Sequence, residues 1–245
     1  MAYGDTGCVL IHGSELGAWL WERMVAELTS PALPVDLPGR GSRPADRRSL
    51  GLDDAVRSVA DDVQQWDVDR VVLVAHSFGG VLVPALAHSL GEAVTAIVLV
   101  GATVPQEGKS WVDLLPLPQR LLLRGLYKLR PGGLLSPADQ NRKTLGNDLD
   151  AATTAWFLDR RVPEAPGFLI DPVPTATFPS DVPLHYVRLL DDRSIADSLR
   201  DRMIGALPLA HVHDLHSGHL PMLSQPAALA GLLDRIAAMP DLRSP

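Results

Sequence analysis

The chain has 245 residues, of which 46% are hydrophobic and 21% are charged, and its formal net charge is −7. This composition is typical of a soluble globular protein with a sizeable core, and the acidic balance argues against nucleic acid as a partner. Cys8 is the single cysteine, so an intrachain disulfide is excluded. No apolar run is long enough to span a membrane and no basic leader precedes residue 8, so we expect no membrane association and a cytoplasmic location.

The first 66 residues alternate short apolar runs with helical patterns. Residues 7–11 predict a strand that ends in a tight turn at His12-Gly13-Ser14, and residues 33–35 predict a second strand. Apolar residues at helical spacing predict helices over 19–28 and 52–66. This order is the beginning of an α/β pattern.

The clearest local signal surrounds Ser77. Residues 71–75 are apolar and mostly β-branched, which predicts a buried parallel strand, and a helix pattern begins at Val81. A strand that passes into a helix without a loop strains the backbone of the Ser between them and needs small neighbours, here Ala75 and Gly79. The serine hydroxyl would then lie beside a helix N-terminus, where backbone N–H groups favour negative charge. The pattern predicts a nucleophile elbow, with an ordinary helix N-cap as the alternative.

In the rest of the chain the alternation of strands and helices first stops and then resumes. A strand is expected at 96–101, and the following elements are helices over 111–128, 137–146 and 149–160, an irregular Pro-rich stretch, a strand at 184–190, a helix over 194–207, a strand at 210–215 and a helix over 226–239. We therefore predict an α/β fold with a mostly parallel sheet and helices on both faces. Residues 1–105 and 184–245 would form the core, and residues 106–183 a helical cap inserted between two strands, over the sheet edge where ligands bind.

The cap sequence is rich in leucine. Part of this apolar surface is expected to face the sheet. The basic residues of the cap are expected to form a solvated helix face, with steering of an anionic substrate toward the entrance as the alternative. The leucines are Leu121, Leu122, Leu123 and Leu126, and the basic residues are Arg120, Arg124 and Lys128.

Side chains that could activate Ser77 follow two of the later strands. A serine hydroxyl is a weak nucleophile until a base accepts its proton, and the base must itself be oriented. Asp191 and Asp192 follow the strand that ends near residue 190, and His219 follows the strand that ends near residue 215. The order Ser, Asp, His is the chain order of the catalytic groups in α/β-hydrolases.

Several motifs together resemble one family. They are VLIHG at 9–13, GAWLW at 17–21, DLPGRG at 36–41, HSFGG at 76–80, YVRLLDDRSI at 186–195 and GHLPMLSQP at 218–226. On these segments the chain resembles the α/β-hydrolase fold family, in particular the plant methylesterase and hydroxynitrile lyase group. The resemblance extends over residues 8–105 and 184–237 and is loose in the cap.

The resemblance implies a role for each matching position. Ser77 would be the nucleophile, His219 the general base and then acid, and Asp192, rather than Asp191, the group that orients the imidazole. The backbone N–H groups of Phe78 and Ser14 would form the oxyanion hole. The residues expected to border the substrate pocket are His12, Gly13, Trp111, Trp156 and Leu220.

The expected activity is that of a carboxylesterase. The substrate would be a small to medium carboxylic ester, such as a methyl ester or lactone of an aromatic compound, cleaved through an acyl-enzyme. The lyases of this group carry Thr where this chain has Gly13 and Lys where it has Leu220, which weighs against cyanohydrin cleavage. A biosynthetic lyase, cyclase or thioesterase on the same scaffold, and a ligand-binding homologue without activity, remain the alternatives.

No cofactor and no metal are expected. His216 and His219 lack further ligands at a suitable spacing, and residues 39–41 do not form a phosphate-binding loop. A small-molecule ester is the expected partner, and a homodimer is left open.

Overall fold

The computed structural model of the chain describes residues 6–208 and 211–240. One six-stranded sheet has the order β2-β1-β3-β4-β5-β6, and all neighbouring strands are parallel. The strands are β1 (Thr6–Ile11), β2 (Ala32–Val35), β3 (Arg70–His76), β4 (Val94–Val100), β5 (Leu184–Leu189) and β6 (His211–Leu215). The predicted fold class is confirmed; Ala210, which the sequence assigned to the last strand, lies outside the described residues.

Helices separate the strands. The α-helices are α1 (Glu22–Val25), α2 (Leu52–Gln65), α3 (Val83–Leu90), α4 (Leu117–Leu129), α5 (Ala138–Thr144), α6 (Ala151–Arg160), α7 (Pro166–Ile170), α8 (Asp197–Ala206), α9 (Pro221–Ser224) and α10 (Pro226–Ala237). Short 3₁₀ helices cover Ala18–Trp21, Ser77–Val81, Gly91–Ala93 and Trp111–Leu114. None of the helices in the described ranges is long and apolar enough to cross a bilayer.

The sheet is buried on both faces. Val9 and Ile11 of β1 belong to one apolar cluster, whereas Cys8 and Leu10 belong to a second cluster. Successive side chains of a strand point to opposite faces, so the two clusters are the two layers of core that flank the sheet. Burial on both sides explains why the central strands β1, β3 and β4 are largely apolar and do not alternate, whereas the edge strand β6 is mostly exposed.

The strand order places one crevice at the edge of the sheet. β2 and β3 lie on either side of β1, so the connections that leave β1 and β3 diverge at the carboxyl ends of these two strands. Ligands of open α/β sheets bind at such a point. Ile11 lies opposite Ala75 in the pairing of β1 with β3, and this register brings the turn after β1 next to the turn after β3.

The segment between β4 and β5 departs from the sequence-based boundaries at two places. In place of the single helix expected over 111–128, the structure has a 3₁₀ turn followed by α4. Pro116 and Pro118 restrict the backbone where the two helices meet, and they lack N–H donors. The Pro-rich stretch expected to be irregular contains α7, which begins at Pro166, a first-turn position that tolerates proline.

The leucines of α4 mostly face solvent. Leu121 and Leu122 are each 62% exposed and Leu126 is 37% exposed, while Leu123 packs partly against the core and Tyr127 is buried. Leu121, Leu122 and Leu123 are consecutive, and consecutive helical residues are about 100° apart, so they cannot share one face. Part of this apolar surface therefore packs against the core, but of these four leucines that part is Leu123 alone.

Candidate active site

Ser77 lies at the sharp junction between β3 and the 3₁₀ helix Ser77–Val81. Its φ is 52°, a left-handed conformation that a non-glycine residue adopts at a cost of order 1–3 kcal/mol. The turn packs closely on β1: a Cβ at Gly79 would lie 3.0 Å from the carbonyl oxygens of Ile11 and His12. A small residue is therefore required two positions after Ser77, as the sequence pattern indicated.

Three side chains from distant parts of the chain form a hydrogen-bonded line. The Oγ of Ser77 lies 2.9 Å from Nε2 of His219, and Nδ1 of His219 lies 2.7 Å from Oδ2 of Asp192. The neighbouring carboxylate of Asp191 is exposed and its nearest ring nitrogen belongs to His216, at 3.8 Å. Thus Asp192 and not Asp191 contacts the imidazole. This arrangement permits proton transfer from the serine hydroxyl to the ring.

Asp192 is held in its ionised form. Burial by itself would raise the pKa of Asp192, but the adjacent His219 ring and hydrogen bonds from His219 and Ser194 bring this pKa below its ordinary value. The backbone N–H and the Oγ of Ser194 each lie 2.7 Å from Oδ1 of Asp192. The same Oγ lies 2.8 Å from Nδ1 of His219. In the sequence Ser194 is only one residue of the motif at 186–195, whereas in the structure it contacts both Asp192 and His219.

His76 supports His219 from below. The side chain is fully buried, and its Nε2–H donates a 2.8 Å hydrogen bond to the carbonyl oxygen of His219. Burial, followed by the nearby His219 ring, holds the pKa of His76 well below its ordinary value. His76 is therefore a neutral ring that fixes the backbone of His219 and not a second base.

The turn after β1 approaches Ser77 closely. A Cβ at Gly13 would lie 3.0 Å from the Cβ of Ser77, so a side chain there would crowd the hydroxyl. The N–H of Ser14 has no acceptor among the described residues. Phe78 is the second residue of a helix and its N–H lacks an intrahelical partner. Both N–H groups are thus free to donate to a ligand at this crevice.

His12 holds this turn from beneath. Its Nε2 accepts a hydrogen bond from the backbone N–H of Leu37 at 3.2 Å, and its Nδ1–H donates to the carbonyl of Gly13 at 2.7 Å. Burial, and next the positive charge of Arg40, lower the pKa of His12 to about 4. Both ring nitrogens are hydrogen-bonded to backbone groups, so His12 lies under the site rather than facing a substrate.

A buried ionic network fixes the other end of the same turn. Glu15 has a φ of 64°, and its N–H donates to Oε2 of Glu164 at 2.8 Å. Glu164 is fully buried and pairs with the guanidinium of Arg40, which also donates to the carbonyl of Leu16 at 2.8 Å. The Glu15 carboxylate in turn accepts from Arg161 at 2.8 Å. This network joins the crevice to the segment between β4 and β5, and no local sequence pattern predicts it.

The remaining predicted pocket residues are distributed over both faces of the sheet. Trp111 is partly buried and packs against the cluster that contains Phe78, whereas Leu220 is fully buried in the other cluster. Trp156 packs edge to face on Trp19, with ring centroids 5.1 Å apart. No group of three or more potential metal ligands occurs within residues 6–208 and 211–240.

The parallel sheet and the arrangement around Ser77 define a known class of protein. The profile of the alpha/beta hydrolase family matches residues 8–232, and the chain belongs to this family. Its fold is the one expected from the six-stranded parallel sheet and the Ser77 turn.

Individual relatives indicate which group within the family this chain resembles. Probable esterase PIR7A of Oryza sativa subsp. japonica is 27% identical over 98% of this chain and its own whole length. Methylesterase 17 of Arabidopsis thaliana is 24% identical, over 94% of this chain and 90% of its own length. A third relative, a chloroplastic protein of Arabidopsis thaliana, is 27% identical to this chain, which spans 63% of the length of that relative. The resemblance to the methylesterase group is thus confirmed.

Solved structures show the same fold. An extracellular α/β-hydrolase from a Paenibacillus species superposes with a TM-score of 0.85, at 21% identity, over 96% of this chain and 100% of the other. The methylesterase MES16 from Arabidopsis superposes with a TM-score of 0.77, at 20% identity, over 94% of this chain and 98% of the other.

Proposed function

We propose that the protein is a serine hydrolase that cleaves a small to medium carboxylic ester through an acyl-enzyme. The observation that carries this proposal is the hydrogen-bonded line from Ser77 through His219 to Asp192. An unactivated hydroxyl at a strained turn would bring no advantage, whereas one that is 2.9 Å from a ring nitrogen able to accept its proton can lose that proton as it attacks.

The reaction is proposed to occur in two halves. The Oγ of Ser77 attacks the ester carbonyl and its proton passes to Nε2 of His219. The tetrahedral intermediate collapses as His219 returns that proton to the departing alcohol, which leaves an acyl group on Ser77. A water molecule then attacks the acyl carbon as His219 accepts one of its protons. The bond to Oγ breaks as His219 returns that proton to Ser77, which releases the carboxylic acid and restores the hydroxyl.

The surrounding groups stabilise the charges that develop. Asp192 is ionised and faces Nδ1 of His219, so it holds the reactive ring tautomer and stabilises the imidazolium. The N–H groups of Phe78 and Ser14 are proposed to bind the oxyanion, and the loss of one such donor typically costs about 2.7–4 kcal/mol of transition-state stabilisation.

The substrate class is proposed from the relatives. Two of them are named as an esterase and a methylesterase, so a methyl ester is the first candidate, with a lactone of an aromatic compound as the second. The residue after His219 is Leu220, which is fully buried, so it supplies neither charge nor a hydrogen bond to a leaving group. This favours ester hydrolysis over cyanohydrin cleavage.

Hydrolysis of p-nitrophenyl acetate and butyrate tests the proposal. The parent protein should release p-nitrophenol, and Ser77→Ala should lower kcat by at least about a thousandfold. The control is Ser89→Ala, which changes an exposed serine of α3 and should match the parent. Equal rates for the parent and Ser77→Ala would end the proposal. A parent that binds esters without turnover would support the ligand-binding alternative.

A further inference from the structure

A two-residue segment between α5 and α6 contacts both loops that carry the acid and the base. Asn147 and Asp148 belong to the part of the chain inserted between β4 and β5. Asp148 contacts the residues immediately before His219, and Asn147 contacts the residue immediately before Asp192. Neither residue belongs to a motif that the sequence pattern singles out.

Asp148 is hydrogen-bonded to the loop of His219. Its Oδ2 accepts a 2.6 Å hydrogen bond from the backbone N–H of Gly218, and the Oγ of Ser217 lies 3.4 Å from the same oxygen. The contact leaves no room for a side chain, since a Cβ at Gly218 would lie 2.3 Å from Oδ1 of Asp148. Glycine at 218 is thus explained by the close approach of this carboxylate.

Asn147 is hydrogen-bonded to the loop of Asp192. Its Nδ2–H donates to the carbonyl oxygen of Asp191 at 2.9 Å. The two loops also meet directly, because the N–H of Asp191 donates to the carbonyl of Ser217 at 3.1 Å. Asn147 and Asp148 therefore hold from outside a pair of loops whose relative position sets the distance between His219 and Asp192.

We propose that Asn147 and Asp148 are positioning residues for the acid–base pair of the reaction. The inference rests on the proposed function and extends it: a segment inserted between β4 and β5 holds the two loops that carry the acid and the base. Neither side chain touches the reacting atoms. Each fixes the backbone next to a side chain that does.

The expected effect follows from the geometry. Removal of the Asp148 carboxylate leaves the N–H of Gly218 without its acceptor and frees the loop to shift. A misplacement of about 1 Å in a catalytic group can cost on the order of a hundredfold in rate. We expect Asp148→Ala to lower kcat by about 10- to 100-fold with KM changed less than about twofold. Asp148→Asn retains an acceptor oxygen and should keep most of the activity.

The control is Asp159→Ala. Asp159 is an exposed acid of α6, in the same inserted segment, and its side chain makes no hydrogen bond or ion pair with any other described residue. A second test variant is Asn147→Asp, which keeps the shape of the side chain but removes its donor. This variant carries the test if Asp148→Ala does not fold.

Two readouts separate positioning from general stability. The first is kcat and KM for p-nitrophenyl butyrate, with thermal unfolding measured for each variant. The second is the low-field ¹H NMR resonance of the proton between His219 and Asp192, which does not depend on turnover. The proposal requires a fall in kcat and a shifted or broadened resonance in Asp148→Ala or Asn147→Asp, with Asp148→Asn and Asp159→Ala close to the parent.

The outcomes that would overturn it are distinct from failure of the proposed function. An active parent whose Asp148→Ala and Asn147→Asp variants match Asp159→Ala in kcat, KM and resonance would refute positioning alone. An inactive parent would refute the proposed function, and the NMR resonance would then decide whether the two residues position the pair.

Discussion

Replacement of Glu164 tests whether the buried ionic network fixes the turn that contains Ser14. The Glu164 carboxylate is completely buried, and the Arg40 side chain that it pairs with is 1% exposed. The same carboxylate accepts N–H groups from Glu15 at 2.8 Å and Ala165 at 3.1 Å. Glu164→Leu removes all of these acceptors at once and leaves the charge of Arg40 buried.

The magnitude follows from that uncompensated charge. Breaking a buried ion pair by removing one partner costs about 3–5 kcal/mol, so Glu164→Leu should lower the free energy of unfolding by that amount. For a chain of this size the loss corresponds to a fall in Tm of about 10 °C. The double variant Arg40→Met/Glu164→Leu removes both charges and should be more stable than Glu164→Leu alone.

Urea unfolding at pH 7 measures these differences as a double-mutant cycle. The coupling energy between Arg40 and Glu164 should be at least about 2 kcal/mol. In ester hydrolysis, Glu164→Leu should lower kcat by a larger factor than the factor by which it changes KM. The reasoning would be refuted if the effects of Arg40→Met and Glu164→Leu on the free energy of unfolding were additive. It would also be refuted if Glu164→Leu lowered that free energy by less than about 1 kcal/mol, because the charge of Arg40 would then be stabilised by other groups.

Three further predictions concern the hydrogen bonds around the site. Ser194→Ala should lower kcat by about tenfold, because the adjacent carboxylate loses a donor, and steady-state kinetics would show no change if Ser194 only fills space. His219→Ala should lose about as much kcat as Ser77→Ala, since the groups act as a unit, and a much milder loss in the same assay would contradict a shared role. His12 has its pKa lowered to about 4, so the unfolded chain binds a proton before the folded one does and stability falls as pH drops from about 6.5 toward 4. Between pH 6.5 and 5 this amounts to about 2 kcal/mol, which His12→Gln should remove from the pH dependence of urea unfolding, whereas His88→Gln at an exposed position should not.

The sequence was sufficient for the central strands of the sheet because these strands are buried on both faces. Residues 71–75 and 96–100 are apolar without interruption, a pattern that a central parallel strand requires. The boundaries were less certain where proline or solvent exposure decides. Pro116 ends one helical turn and precedes α4, and the exposed leucines of α4 have no periodic pattern that would reveal their orientation.

The candidate site was predictable only in part, for a physical reason. Ser77 has a local pattern, and Asp192 and His219 could be placed at the ends of strands. The contacts that hold them are different in kind: Asp148 is 70 residues from Gly218 in the chain, and Glu164 is 149 residues from Glu15. No local pattern identifies such pairs, because tertiary packing alone brings them together. The catalytic roles of all these residues stay predictions.

Covalent labelling by a fluorophosphonate probe, followed by mass spectrometry of the digested protein, tests the nucleophile most directly. The adduct should form on the peptide that contains Ser77, and His219→Ala should slow its formation by at least about a hundredfold, because the ring no longer accepts the hydroxyl proton. Label on another residue, or an unchanged labelling rate in His219→Ala, would contradict the account.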